Sequence, residues 1–194
     1  MFSAVFYLDA CEIVDYIIQD DTNRTIKFFR KAKAKGADLY TSEWAIYEAI
    51  PILVQEMYFQ KLQQNGIRSI RRTWRKITRE QKIPLSVGKK LAPIIKSLRN
   101  IMTIISFNEL PPDVHENAQK IALTSRFSSF DALHIAIAKW LSEYGKVNGK
   151  GSAVRCYIVT SNVSDFNPDR FRNARSFTRN LVPVTPRDAL KEIK

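Results

Sequence analysis

The chain is 194 residues long and 45% hydrophobic, which supports one sizeable core plus an insertion but not two full domains, so a single domain over 1–194 is expected. Its 31 Lys and Arg against 19 Asp and Glu give a net charge of +12, a balance that points to a polyanionic partner. No apolar run approaches the roughly eighteen residues of a membrane span, no signal-peptide pattern opens the chain, and Cys11 and Cys156 form no CxxC pair, so a cytoplasmic protein with reduced thiols and no membrane partner is expected.

The first element is the apolar run Ala4-Val5-Phe6-Tyr7-Leu8, whose β-branched and ring side chains predict a strand covered on both faces, as in a parallel sheet flanked by helices. The run ends on Asp9. Ile13, Val14, Ile17 and Ile18 then recur at helical spacing, so Asp9 stands where a strand's carboxyl end turns into a helix, the edge at which open α/β sheets bind ligands. Asp is equally a preferred N-cap, and capping alone would also account for it. Ile26, Phe28 and Phe29, mixed with Arg30, Lys31, Lys33 and Lys35, predict a second amphipathic helix over 25–35 that Gly36 stops; Ala37–Thr41 predicts a second strand. Ser42 is placed to cap a third helix with the apolar face Trp44, Ile46, Tyr47, Ile50, Leu53 and Val54. Glu48 interrupts that face, so it should be partly buried and need a cation or hydrogen-bond donor.

Positive charge is concentrated in the next stretch. Between Lys61 and Arg99 stand twelve basic residues against the single acid Glu80, which leaves the rest of the chain at +1. Ile67, Ile70, Trp74 and Ile77 form one apolar stripe, while Arg68, Arg71, Arg72, Arg75, Lys76 and Arg79 take the other sides of a predicted helix. A solvated face would explain such charge too, but its one-sidedness favours phosphate contact by a basic helical insertion at about 60–100. Pro84 ends this helix, and Ser86 can open another that carries Leu91, Ile94, Ile95 and Leu98, with Pro93 inside it.

Ile101–Ile105 predicts a third strand, closed by Asn108 and the Pro111-Pro112 pair. Asp113 is placed to cap a helix through Ala118, Ile121, Ala122 and Leu123. Ser128-Ser129 opens the next, with Phe130, Leu133, Ile137, Trp140, Leu141 and Tyr144 inward and Asp131 in the first turn, where the helix dipole favours a negative charge. His115 and His134 are the chain's only histidines; lacking His or Cys companions at ligand spacing, they make no zinc site. Val154–Thr160 predicts a fourth strand that ends among Ser161, Asn162, Ser164 and Asp165. Leu181-Val182-Pro183-Val184 reads as a short edge strand, where Pro is tolerated, and Arg187–Ile193 as a last helical stretch.

Asp9, Glu48, Asp131 and Asp165 are thus all predicted near strand ends of one parallel sheet. Clustered carboxylates repel unless a hard cation sits between them, and Mg²⁺ or Mn²⁺ held there beside a basic segment suits phosphodiester hydrolysis, because the ion activates water and neutralises phosphate charge. Four stretches then resemble, in order, the signatures of PIN-domain nucleases, nearest to the VapC-type toxin ribonucleases. They are Leu8-Asp9-Ala10; Thr41-Ser42 with Glu48; Asp131-Ala132-Leu133-His134-Ile135-Ala136; and Val159-Thr160-Ser161-Asn162 with Asp165-Phe166. The resemblance spans most of 2–59 and 101–185. It implies a PIN-like three-layer α/β/α fold with a parallel sheet of four to five strands, and an acidic Mg²⁺ or Mn²⁺ site that cuts RNA. Asp9, Glu48, Asp131 and Asp165 would be its catalytic and metal-binding residues, with Ser42, Thr160 and Asn162 in support.

Two positions depart from the family pattern: Asn162 stands where many members have an acid, and Cys11 where a polar residue is frequent. A toxin would add two further partners, a small antitoxin protein and a second copy of the chain. The alternative is a PIN-like module that binds RNA in processing or assembly without cutting it, which Asn162 and the basic segment favour. An aspartyl phosphatase would want a second Asp two residues after Asp9, where this chain has Cys11.

Overall fold

A strand apolar at every position must be covered on both sides, and β1 (Val5–Leu8) is: all four of its residues are buried. The computed structural model describes residues 4–18, 24–64, 85–125, 127–144, 154–166 and 180–193, without the side chains of 61–63, 85–88, 144 and 165. β1 lies at the centre of a five-stranded sheet with β2 (Asp38–Ser42), β3 (Thr103–Ile105), β4 (Cys156–Val159) and β5 (Leu181–Val184), in the order β3-β2-β1-β4-β5. Every pairing is parallel. The described helices are α1 (Ala10–Ile18), α2 (Arg24–Lys35), α3 (Glu43–Gln64), α4 (Leu85–Leu98), α5 (Pro112–Thr124), α6 (Ser129–Tyr144) and α7 (Pro186–Glu192). They cover both faces, so the architecture is the three-layer α/β/α arrangement on a parallel sheet that alternating strands and amphipathic helices predict.

Strand alternation sorts the core in two. Val5 and Tyr7 of β1, with Cys156 and Ile158 of β4, pack under α5 and α6. Phe6 and Leu8, with Tyr157 and Val159, pack under α1, α2, α3, α4 and α7. Phe6 anchors this second face: its ring meets Phe28 edge-on at 5.6 Å and stacks on Tyr157 at 5.4 Å. Truncating so buried a ring to Ala costs about 3–5 kcal/mol.

Local signals set the element ends. Gly36 takes φ 62° after α2, and the Ala37 and Gly36 N–H groups return to the carbonyls of Ala32 and Lys33, the paired bonds of a Schellman stop. Ser42 Oγ accepts the Ala45 N–H at 3.2 Å and so caps α3. Pro183 sits on β5, an edge strand, where its missing N–H disturbs no ladder.

Three expectations need correction. β3 begins at Thr103, because the Ile101 and Met102 N–H groups close α4 on the Leu98 carbonyl. α5 opens with Pro111 at its cap and Pro112 in its first turn, which leaves Asp113 inside that turn. Tyr47 (59% exposed) and Phe130 (48% exposed) do not face inward. On α3 the buried face is Ala45, Ile46, Ala49 and Leu53, and on α6 it includes Ala132, Ala136 and Ala138; small residues there let each helix lie close to the sheet and turn the rings outward. The basic helix predicted over Ile67–Arg79, with Arg68, Arg71, Arg72, Arg75, Lys76 and Arg79, lies outside the described residues. No described helix is long and apolar enough to cross a membrane.

Candidate metal centre

From β1 the chain moves outward through β2 to β3, then crosses to the far side of β1 for β4 and β5. The carboxyl ends of β1 and β4 therefore flank the point where the strand order reverses, the crevice in which open α/β sheets hold ligands. Asp9 follows β1 directly. Its N–H donates to the Val159 carbonyl at 3.2 Å, and its own carbonyl accepts the Glu12 and Ile13 N–H groups that start α1. The carboxylate is oriented at both oxygens. Oδ1 accepts the Ala10 N–H at 2.7 Å, while Oδ2 accepts Thr160 Oγ1 at 3.0 Å and meets Cys11 Sγ at 3.3 Å. Capping and site placement thus coincide in one residue.

His134 supplies what the carboxylates lack. On α6 it is surrounded by the buried residues Leu133, Ile135, Ala136, Ile137 and Ala138 and points into the crevice. Its Nε2 lies 3.1 Å from Glu48 Oε2 and 3.6 Å from Asp9 Oδ1. Its Nδ1 is held at 2.7 Å by Tyr7 Oη, which is itself 2.9 Å from Ser42 Oγ. One oxygen of Asp9, one of Glu48 and one imidazole nitrogen all lie within 4.8 Å of one another. Side-chain exposure grades from 2% at His134 through 13% at Asp9 to 37% at Glu48, so the group opens to solvent on the Glu48 side.

The surroundings keep neutral groups neutral. Full burial pushes the Tyr7 phenol far above its ordinary range, so Oη has one proton to give and lone pairs to accept another. Burial, then the nearby carboxylates Asp9 and Glu12, push the Cys11 thiol up in the same way. Cys11 stays a weak S–H donor beside Asp9, and both cysteines are free. Glu12, fully buried, is raised chiefly by burial and is held by Thr25 Oγ1 at 2.8 Å and Ser161 Oγ at 2.7 Å.

The remaining expected site residues take other places. Thr160 and Ser42 support the centre as described. Asp131 closes a capping box on α6: its carboxylate accepts the Ser128 N–H at 3.2 Å and Oγ at 2.7 Å, while Ser128 Oγ accepts the Asp131 N–H at 3.1 Å. Among the described residues Asp131 joins no group of three ligand atoms. Asn162 donates its backbone N–H to Thr160 Oγ1 and accepts Ser164 Oγ on its side chain at 3.2 Å. Asp165 lies on the 3-10 turn Val163–Phe166, and its side chain is outside the described residues. His115 stacks on Phe107, whereas His134 stands beside two carboxylates, Asp9 and Glu48, rather than the His or Cys companions of a zinc site. A signal existed: a polar side chain one turn after Asp131 on the inward stripe of an apolar helix.

The donor set fits a divalent cation. Two donors about 2.1 Å from one ion stand about 3.0 Å apart at right angles and about 3.4 Å apart in a tetrahedron, and the observed 3.1 and 3.6 Å fall close to these separations. A carboxylate pair with one imidazole can therefore hold a metal ion. No protein-family model and no curated protein matches this chain.

Proposed function

We propose that the chain is a metal-dependent endoribonuclease of the PIN type, with Asp9 and Glu48 holding a divalent cation, Mg²⁺ or Mn²⁺, at the crevice between β1 and β4. The observation that carries the reading is the convergence of Asp9, Glu48 and His134 at the carboxyl edge of the sheet, where an acid pair would repel itself without a cation. A bound cation supplies charge neutralisation on the scissile phosphate and an activated water. The protein does the rest. Thr160 and the Ala10 N–H fix the Asp9 carboxylate, Tyr7 and Ser42 fix the His134 ring, and Glu48 stands at the solvent side where a phosphate would approach. Asp131 and Asp165 complete the acidic set that the family resemblance implies, and the basic helix would hold the RNA backbone. A toxin partnered by a small antitoxin protein is the form of this activity that the sequence resembles most.

The test is cleavage of mixed RNAs with and without Mg²⁺ or Mn²⁺, in the wild-type chain and in Asp9→Asn. Cleavage should need the cation and fall about 100-fold or more in the variant, the order expected when several kcal/mol of charge stabilisation is lost. RNA binding without cation-dependent cleavage would replace this reading with the noncatalytic RNA-binding module.

A further inference from the structure

We infer that His134 Nε2 is a direct cation ligand and that it makes the centre selective for a first-row transition dication over Mg²⁺. This rests on reading the crevice as a cation centre and adds to it the identity of the ion and the residue that chooses it. The donor chemistry comes first. Mg²⁺ prefers oxygen donors and keeps its waters, whereas imidazole nitrogen suits the transition dications. A purely acidic centre would favour neither strongly; one buried imidazole among two carboxylates tips the choice.

The placement of the ring makes it a ligand. Its side chain is 2% exposed and locked by packing, so Nε2 cannot swing away from the two carboxylate oxygens 3.1 and 3.6 Å off. Its far nitrogen is held by Tyr7 Oη at 2.7 Å, and Tyr7 by Ser42 Oγ at 2.9 Å, the outer hydrogen bond that metal-ligating histidines characteristically make. The Tyr7 hydroxyl also serves both tautomers. With Nε2–H donating to Glu48, Tyr7 donates to Nδ1 and accepts from Ser42. With Nε2 given to a cation, Nδ1–H donates to Tyr7, which donates to Ser42. The buried phenol and imidazole keep partners either way: the Nε2 proton leaves on the solvent-open Glu48 side, one proton is taken up at Nδ1, and the two hydroxyls only reorient.

Mn²⁺ is the probe, because its electron spin echo reports directly bound nitrogen. The wild-type chain loaded with Mn²⁺ should show imidazole ¹⁴N modulation, and calorimetry should give tighter binding for Mn²⁺ than for Mg²⁺. His134→Gln should remove the modulation. Tyr7→Phe keeps the ring in the core and deletes only the outer hydrogen bond; it should lower Mn²⁺ affinity about 10- to 100-fold and Mg²⁺ affinity far less. Mn²⁺ bound without nitrogen modulation, or Mn²⁺ and Mg²⁺ affinities falling together in Tyr7→Phe, would overturn the assignment and leave His134 as a hydrogen-bonding support for Glu48. Failure of the wild-type chain to bind either ion would overturn the cation centre itself, and with it the nuclease reading.

Discussion

Ser42→Ala is the substitution whose cost can be worked most directly from the structure, because one hydroxyl has two separable tasks. Ser42 Oγ accepts the Ala45 N–H and so caps α3, and loss of such a cap costs about 1 kcal/mol. The same oxygen bonds Tyr7 Oη at 2.9 Å in the interior, a buried hydrogen bond worth about 0.5–1.5 kcal/mol net. Tyr7 keeps His134 Nδ1 as a partner, so the phenol is not orphaned, and the Ala45 N–H that loses its acceptor is the cost already counted as the cap. The sum is about 2 kcal/mol, or about 4–8 °C in melting temperature for a domain of this size. In a Tyr7→Phe background the Tyr–Ser bond is already gone, and Ser42→Ala should then cost only the cap, about 1 kcal/mol. Urea denaturation of the four proteins of this cycle, followed by Trp fluorescence, measures the coupling. Additivity within about 0.3 kcal/mol would show that the Tyr7–Ser42 contact contributes nothing and that Tyr7 holds the His134 ring without help from Ser42.

Other consequences are open to the same methods. Ser128→Ala and Asp131→Ala should each destabilise the chain by about 1 kcal/mol through the α6 cap, and a fall in dication affinity in Asp131→Ala alone would be the mark of a ligand. Replacing Arg71, Arg72 and Arg75 with Gln should weaken RNA binding across sequences and reduce the log–log salt slope by about two to three units; an unchanged slope would refute phosphate contact there. Glu12→Gln tests the buried acid. Burial raises its folded-state pKa above its ordinary value of 4.5, so the folded chain binds the extra proton, and the stability this contributes is present below pH 4.5 and lost as pH rises through the raised value. Denaturation midpoints across pH should therefore show Glu12→Gln gaining on the wild type as pH rises through that window, by at most about 1.4 kcal/mol per pH unit; a constant difference would mean that Glu12 ionises normally.

The fold was legible because its strongest signals are local. Residues 4–8 are apolar at every position and need cover on both faces, which a parallel sheet between helices provides. Gly36, Ser42 and Pro183 each act within a few residues, through a left-handed backbone, a side-chain cap and a missing N–H. Helix rotation was less legible. Tyr47 and Phe130 fit the apolar periodicity of their helices, but the alanines on the neighbouring positions allow closer approach to the sheet, and packing distance outweighs side-chain hydrophobicity in deciding which stripe goes in.

The centre divides along the same line. Asp9 could be singled out because a charge that ends a buried strand is anomalous on its own, and Glu48 because it breaks an apolar stripe. Spacing along the chain does not single out His134, because its partner Glu48 lies 86 positions away and is brought in by the crossing from β3 to β4. A different question leads to it. Tyr7 occupies an interior strand position, and a buried phenol demands a hydrogen-bond partner. Alternation puts Tyr7 on the face opposite Phe6, under the helix that carries Asp131, and the polar residue one turn further along that helix is His134. A polar atom that an apolar core obliges to find a partner predicts a long-range contact that ligand spacing does not, and here it leads from the central strand to the cation centre.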